Sequence, residues 1–378
     1  MVDAPPLRAL ALRTLAFTHH AARDWLSLGQ SVADVRQIEQ CYSDSASVHD
    51  ELELCSLNAR RYSSREQGET LRLAKECISS LAANPAHRVA AAIIALKVAT
   101  NVGDLEGMDE VHKSVGPYLD DPSVSATNRI SLLMIYHAIR GDAATAAILA
   151  RDLLGIVQTS LSPVHQLVPM MDCAGALRRA GAPGEACRIY RDIFELAKKS
   201  HVMDMAADAA HRCIEISCDA ADFATASEWI DRYYATTAAN YGGSVHYSLR
   251  GAIARVRISE RNWREADELL EPAGCAPLWS DPVAMFRNSA IAVKLRLELD
   301  RGTPADEIAK WVHDLAKSHA SLRDTGAQDY EAYSLFLGYR AIGDAASAID
   351  MLRSYVASQR RDITPLCAEI QRALANYA

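Results

Sequence analysis

Apolar residues recur at intervals of three and four along most of the chain, in segments of about 12 to 17 residues separated by short polar turns. Leu132, Leu133, Ile135 and Tyr136 form such a stripe before the turn at Gly141, and Ala146, Ala147, Leu149, Ala150, Leu153 and Leu154 form one after it. This spacing gathers apolar side chains on one broad helical face, wide enough to pack on two neighbours. No alternating strand pattern interrupts it, so the pattern predicts an all-α chain. The turns fall at Gly103-Asp104, Gly141-Asp142, Gly181-Ala182, Ala221-Asp222, Arg261-Asn262, Gly302-Thr303 and Gly343-Asp344, with spacings of 38, 40, 40, 40, 41 and 41 residues. Two earlier turns, Ser63-Ser64 and Gly29-Gln30, extend the series toward the N-terminus. A length of 378 residues would by itself suggest two or three globular units. A fixed period of about forty points to a repeated helix pair.

Five residues after the turn stands alanine in five units: Ala146, Ala186, Ala226, Ala266 and Ala348. A side chain this small lets two helix backbones approach. Two residues after the turn, Leu105, Phe223 and Trp263 supply a bulky anchor. The combination of Gly-Asp turn, bulky residue and small alanine resembles the tetratricopeptide repeat, over about residues 46 to 358. That resemblance implies a right-handed α-solenoid of about eight to nine antiparallel helix pairs. The array would form one domain, with less regular helices over 1–45, repeats over 46–358 and a capping helix over 364–378. A period near forty exceeds the usual 34 of that family, so each helix must be longer by half a turn to one turn. In this the chain resembles the superhelical sensor modules of large bacterial LuxR-like transcription regulators of the maltose-activator type. Around Gly302 the register stays open by one or two residues, because Pro304 and Glu307 fit it poorly.

Composition narrows the role. The chain has 65 Ala against 18 Gly and 13 Pro, which favours helix, since Ala loses no side-chain entropy there. A net charge of −8 argues against a surface built throughout for nucleic acid. The charge is unevenly divided. First helices of the seven clearest units sum to +8 and their second helices to −8. A positive inner wall would draw anionic ligands. The same division would also arise if Arg and Lys side chains merely covered apolar surface and neutralised neighbouring acidic helices. Nine cysteines form no CxxC pair and sit in helical segments as small apolar residues, as expected in a reducing compartment. With no uninterrupted signal-peptide core near the start and no apolar run long enough to span a bilayer, the expected location is cytoplasmic.

Stacked helix pairs present an extended concave wall. The resemblance implies that positions 13, 10, 6 and 3 residues before each turn line it. These offsets select Asp208 and Tyr330, His211 and Tyr333, Lys97, Glu215, Arg255 and Arg296, and Arg178 and Arg340. Asp208, His211 and Glu215 share one helical face, but the two-histidine spacing of a zincin site is missing, so no metal is expected. A salt link from Glu215 to Arg255 across neighbouring pairs is the expected arrangement. His211, Cys213 and Cys218 point different ways around the helix. Trp229, Tyr233, Tyr234 and Tyr241 read as packing beneath an inter-repeat loop. No Walker-type loop, GxGxxG or GxSxG occurs, so neither catalytic residues nor a cofactor is expected and the chain does not read as an enzyme. The expected function is a recognition module, a sensor or scaffold in bacterial signalling or transcription control. It would hold a protein segment, a peptide or a small anion in its groove. A free-standing adaptor or chaperone, and a nucleotide- or RNA-binding repeat, are the alternatives. Neither a membrane nor, through this chain alone, a nucleic acid is an expected partner. An output domain would lie outside these residues.

Overall fold

A computed structural model of the chain describes Leu54, Leu57 and residues 67–80, 84–102, 104–241, 247–274, 276–280, 284–320 and 329–358. The expected helices before residue 61, the turns at Gly29, Ser63 and Gly103, and the capping helix over 364–378 lie outside this set. The described residues hold fifteen α-helices and no strand. The chain divides into two compact units, residues 1–136 and 137–378.

In the first unit α1 (Gln67–Ser80) packs on α2 (Pro85–Val102), and α2 on α3 (Leu105–Val115). The α2 stretch from Val89 to Leu96, apolar throughout, is almost wholly buried. Helix α4 (Ala126–Ile139) runs across the boundary between the units.

The second unit contains α5 (Ala143–Ser160), α6 (Pro163–Arg179), α7 (Pro183–Lys199), α8 (Met203–Asp219), α9 (Phe223–Tyr241) and α10 (Tyr247–Ser259). It continues with α11 (Trp263–Leu270), α12 (Ala284–Arg301), α13 (Ala305–Ala320), α14 (Asp329–Ala341) and α15 (Ala345–Ser358). Each helix packs on the next in sequence. In addition α8 packs on α10, α10 on α12, and α12 on α14, so the first helix of one pair lies against the first helix of the following pair. This is a run of adjacent, stacked helix pairs, compatible with a helical repeat.

The forty-residue period is visible as one turn made six times. Gly141, Gly181, Gly302 and Gly343 have φ between 73° and 81°, and Ala221 and Arg261 adopt the same left-handed conformation at 55° and 58°. After each of them the next amide donates back five residues, as in Asp142 to His137 (2.9 Å), Ala182 to Leu177 (2.9 Å) and Asp222 to Ser217 (2.9 Å). That bond satisfies a carbonyl which the end of the first helix leaves open. The residue after the turn then caps the second helix. Asp142, Asp222, Asn262 and Asp344 accept from the amides of Thr145, Thr225, Glu265 and Ser347. Where no side-chain cap exists, after Gly181, Pro183 opens the helix, at a position whose N–H would go unused.

Alanines five residues after the turn are all buried, at 0 to 1% exposure. At Gly302 the register slips by one. Ile308 donates to Pro304 and is buried, while Glu307 is exposed. Helix α11 has only eight residues, shorter than the repeat predicts. Pro272 follows it closely, and a proline cannot continue the hydrogen-bond ladder. Among the described residues no helix is long and apolar enough to cross a membrane.

Candidate functional site

Most residues selected by the wall offsets in the second unit meet their partners on one face of the first helices. Arg178, in the last turn of α6, donates from Nη1 to Glu215 Oε2 on α8 (2.7 Å) and from Nη2 to Asp219 Oδ2 (2.8 Å). Arg212 Nη1 donates to the same Glu215 oxygen (2.8 Å), and His211 Nε2 lies 3.3 Å from the other. From α10, Arg255 Nη2 donates to Asp219 Oδ1 (2.9 Å). The guanidinium carbon of Arg255 also lies 3.9 Å from the ring centroid of Tyr330 on α14. Tyr330 thus reaches past α12 to α10. Arg178, His211, Glu215, Arg255 and Tyr330 therefore form one continuous seam across α6, α8, α10 and α14.

The expected pairing is corrected in detail. Glu215 does not meet Arg255 but Arg178 and Arg212, whereas Asp219 takes Arg255. Glu215 and Asp219 are one turn apart. The first turns toward the preceding pair, while the second, at the end of α8, is shared between both neighbours. Burial would raise the Glu215 pKa, yet Arg212, His211 and Arg178 together hold it well below the usual carboxylate range. Burial pushes the Tyr330 hydroxyl up, against the influence of Arg296 and Arg255.

The other selected residues stand apart from this seam. Arg296 on α12 lies 5.4 Å from the ring centroid of Tyr333 on α14, and Arg340 covers Phe336 at 5.6 Å. Asp208 is half-buried one turn before Arg212. Lys97 belongs to α2 of the first unit and is half-buried there. Trp229 and Tyr233 are buried, with Trp229 edge-on to Phe194 at 5.2 Å, so these two are packing; the side chain of Tyr241 and the Gly242-Gly243 step lie outside the described set.

Sequence reasoning missed Asp219, Arg179, Arg212 and Tyr190. Asp219 falls two residues before its turn, between the offsets used. Tyr190 lies on a second helix, and its only trace is Gly175, a wall position without a side chain. A Cβ added at Gly175 would stand 3.8 Å from the Tyr190 hydroxyl. A further cluster also escaped notice. Lys294 on α12 donates to Asp267 (2.7 Å), pairs with Glu298 (2.8 Å), and lies over the rings of Trp279 and Trp311. Arg301 pairs with the same Asp267. This cluster ties α11 to α12 and consumes its charges internally. Among the described residues no group of three or more His, Cys, Asp or Glu side chains is placed to hold a metal ion.

No protein-family model matches the chain, and no curated protein is significantly similar to it.

Proposed function

We propose that the second unit is a tetratricopeptide-like, right-handed helical array whose first-helix face recognises an acidic protein segment, as the sensor or scaffold module of a bacterial regulatory protein. The cross-helix seam carries this reading. Arg178, Glu215, Asp219 and Arg255 lock three successive first helices together, which fixes the spacing of the groups along that face. Arg296, in contrast, lies over the Tyr333 ring and makes no ion pair among the described residues, and Arg340 lies over Phe336. Guanidinium groups on aromatic faces keep most of their donors open for carboxylates. The role is binding rather than catalysis, and the output domain of such a regulator would lie elsewhere.

Fluorescence anisotropy with a labelled Glu-rich peptide tests it. The wild-type chain is expected to bind the peptide, with affinity falling as salt rises. Arg296→Glu is expected to weaken binding about tenfold, the worth of a single lost charge-assisted bond. No binding by the wild type, or equal binding by Arg296→Glu, would overturn the reading.

A further inference from the structure

Helices α7 and α8 belong to successive pairs and are joined by a tight turn through His201, whose φ is 60°. The amide of Val202 closes that turn on the carbonyl of Ala197 (2.9 Å), so the two helices run antiparallel away from it and pack on each other. Cys187 stands twelve residues before Lys199, the end of α7, and Cys213 stands ten after Met203, the start of α8. At 1.5 Å per residue the two cysteines lie about 18 Å and about 15 Å from the joint, level with each other across the interface. Their thiols meet there, with Cys213 donating a hydrogen bond to the Cys187 sulfur. The two differ in access. Cys213 is wholly buried, whereas Cys187 is partly exposed, alone among the described cysteines. Arg191, exposed one turn further along α7, gives the Cys187 sulfur a second hydrogen bond.

We propose that Cys187 and Cys213 are a peroxide-oxidisable pair, in which Cys187 is attacked first and Cys213 closes a disulfide that ties α7 to α8. The Cys187 thiolate attacks one oxygen of hydrogen peroxide, the O–O bond breaks and hydroxide leaves, which makes Cys187 a sulfenic acid. The Cys213 sulfur then attacks the sulfenic sulfur. The S–O bond breaks, and the hydroxyl leaves with the Cys213 proton as water. The two sulfurs together lose two electrons and the peroxide, with one further proton, ends as two waters. Position assigns these roles. A small oxidant reaches Cys187, while Cys213, already in hydrogen-bond contact, is shielded from direct oxidation. The local electrostatics agree, because the Cys213 hydrogen bond and the Arg191 charge favour the thiolate at Cys187 against its partial burial. No CxxC spacing announces the pair, since its members come from two helices. The bond would join the second helix of one pair to the first helix of the next, and so hold two units in register.

Peptide mapping of the full chain tests the pair. The reduced protein is treated with hydrogen peroxide, quenched, alkylated and digested without reductant. Peptides joined through Cys187 and Cys213 are expected, and dithiothreitol is expected to release them. In Cys213→Ala, a mild change because a buried cysteine packs as a small apolar residue, the link is expected to be absent and dimedone to trap a sulfenic acid at Cys187. The oxidised wild-type chain is expected to unfold at higher urea than the reduced one, since the link restricts the unfolded chain. No joined peptide, a link from Cys187 to a different cysteine or to a second chain, or an oxidised chain whose urea midpoint is not raised would overturn the inference. None of these readouts uses a peptide ligand, so the pair and the recognition reading fail separately.

Discussion

Charge placement at single residues shapes what the array can do, and two side chains make the point testable. Glu215 has a folded-state pKa held below its unfolded value of about 4.3. Its contribution to stability is therefore present above about pH 4.3 and lost as the pH falls toward its folded value. Glu215→Gln is expected to cost about 2 to 4 kcal/mol at neutral pH, since it strands Arg212 and leaves Arg178 with Asp219 alone, and to lose stability less steeply than the wild type below about pH 4.3. Urea titrations at several pH values would show whether the difference narrows on acidification. Cys187 offers a second check. Its hydrogen bond with Cys213 lowers its pKa, against partial burial and with help from Arg191, while the same bond and burial push Cys213 up. Iodoacetamide at pH 7 is expected to modify Cys187 before the buried Cys77, Cys173, Cys213 and Cys218; mass spectrometry finding Cys213 labelled first would contradict this. The wall offsets selected Arg178, Glu215 and Arg255 from sequence. Which acid meets which base was not legible, because it depends on how far each first helix slides along the next, a quantity that a period alone does not contain. For the same reason Asp219, which both neighbours share, went unseen.

At the level of elements, the turn is the feature that sequence states most clearly. Glycine at four of six turns and Asp or Asn caps at four of them report the same backbone path, and the structure repeats it. Ala221 and Arg261 occupy the left-handed position without being glycine. That conformation costs an L-residue about 1 to 2 kcal/mol, whereas glycine gives back about 0.4 to 1 kcal/mol through the freer unfolded chain. Ala221→Gly is therefore expected to stabilise by about 0.5 to 1 kcal/mol, and Gly181→Ala to destabilise by a similar amount. Denaturant midpoints that move in the opposite directions would refute the turn assignment. What the period could not show is where a unit departs from it. The one-residue slip at Ile308 and the eight-residue α11 both follow from prolines, Pro304 and Pro272, whose effect is local and breaks the repeat without erasing it.

For the whole molecule, the division of charge read from sequence becomes two different things in space. Part of it is spent between neighbouring helices, as in the Lys294, Asp267, Glu298 and Arg301 cluster that ties α11 to α12. Arg296, over the Tyr333 ring on α14, stays on the first helices and gives the recognition reading its content. Hydrogen–deuterium exchange of the full chain with and without a Glu-rich peptide tests that reading most directly, because it reports which helices the ligand covers. Protection is expected along α6, α8, α12 and α14, with α7, α9, α11, α13 and α15 unaffected. Protection confined to those second helices, or none on α6, α8, α12 and α14 at saturating peptide, would contradict it.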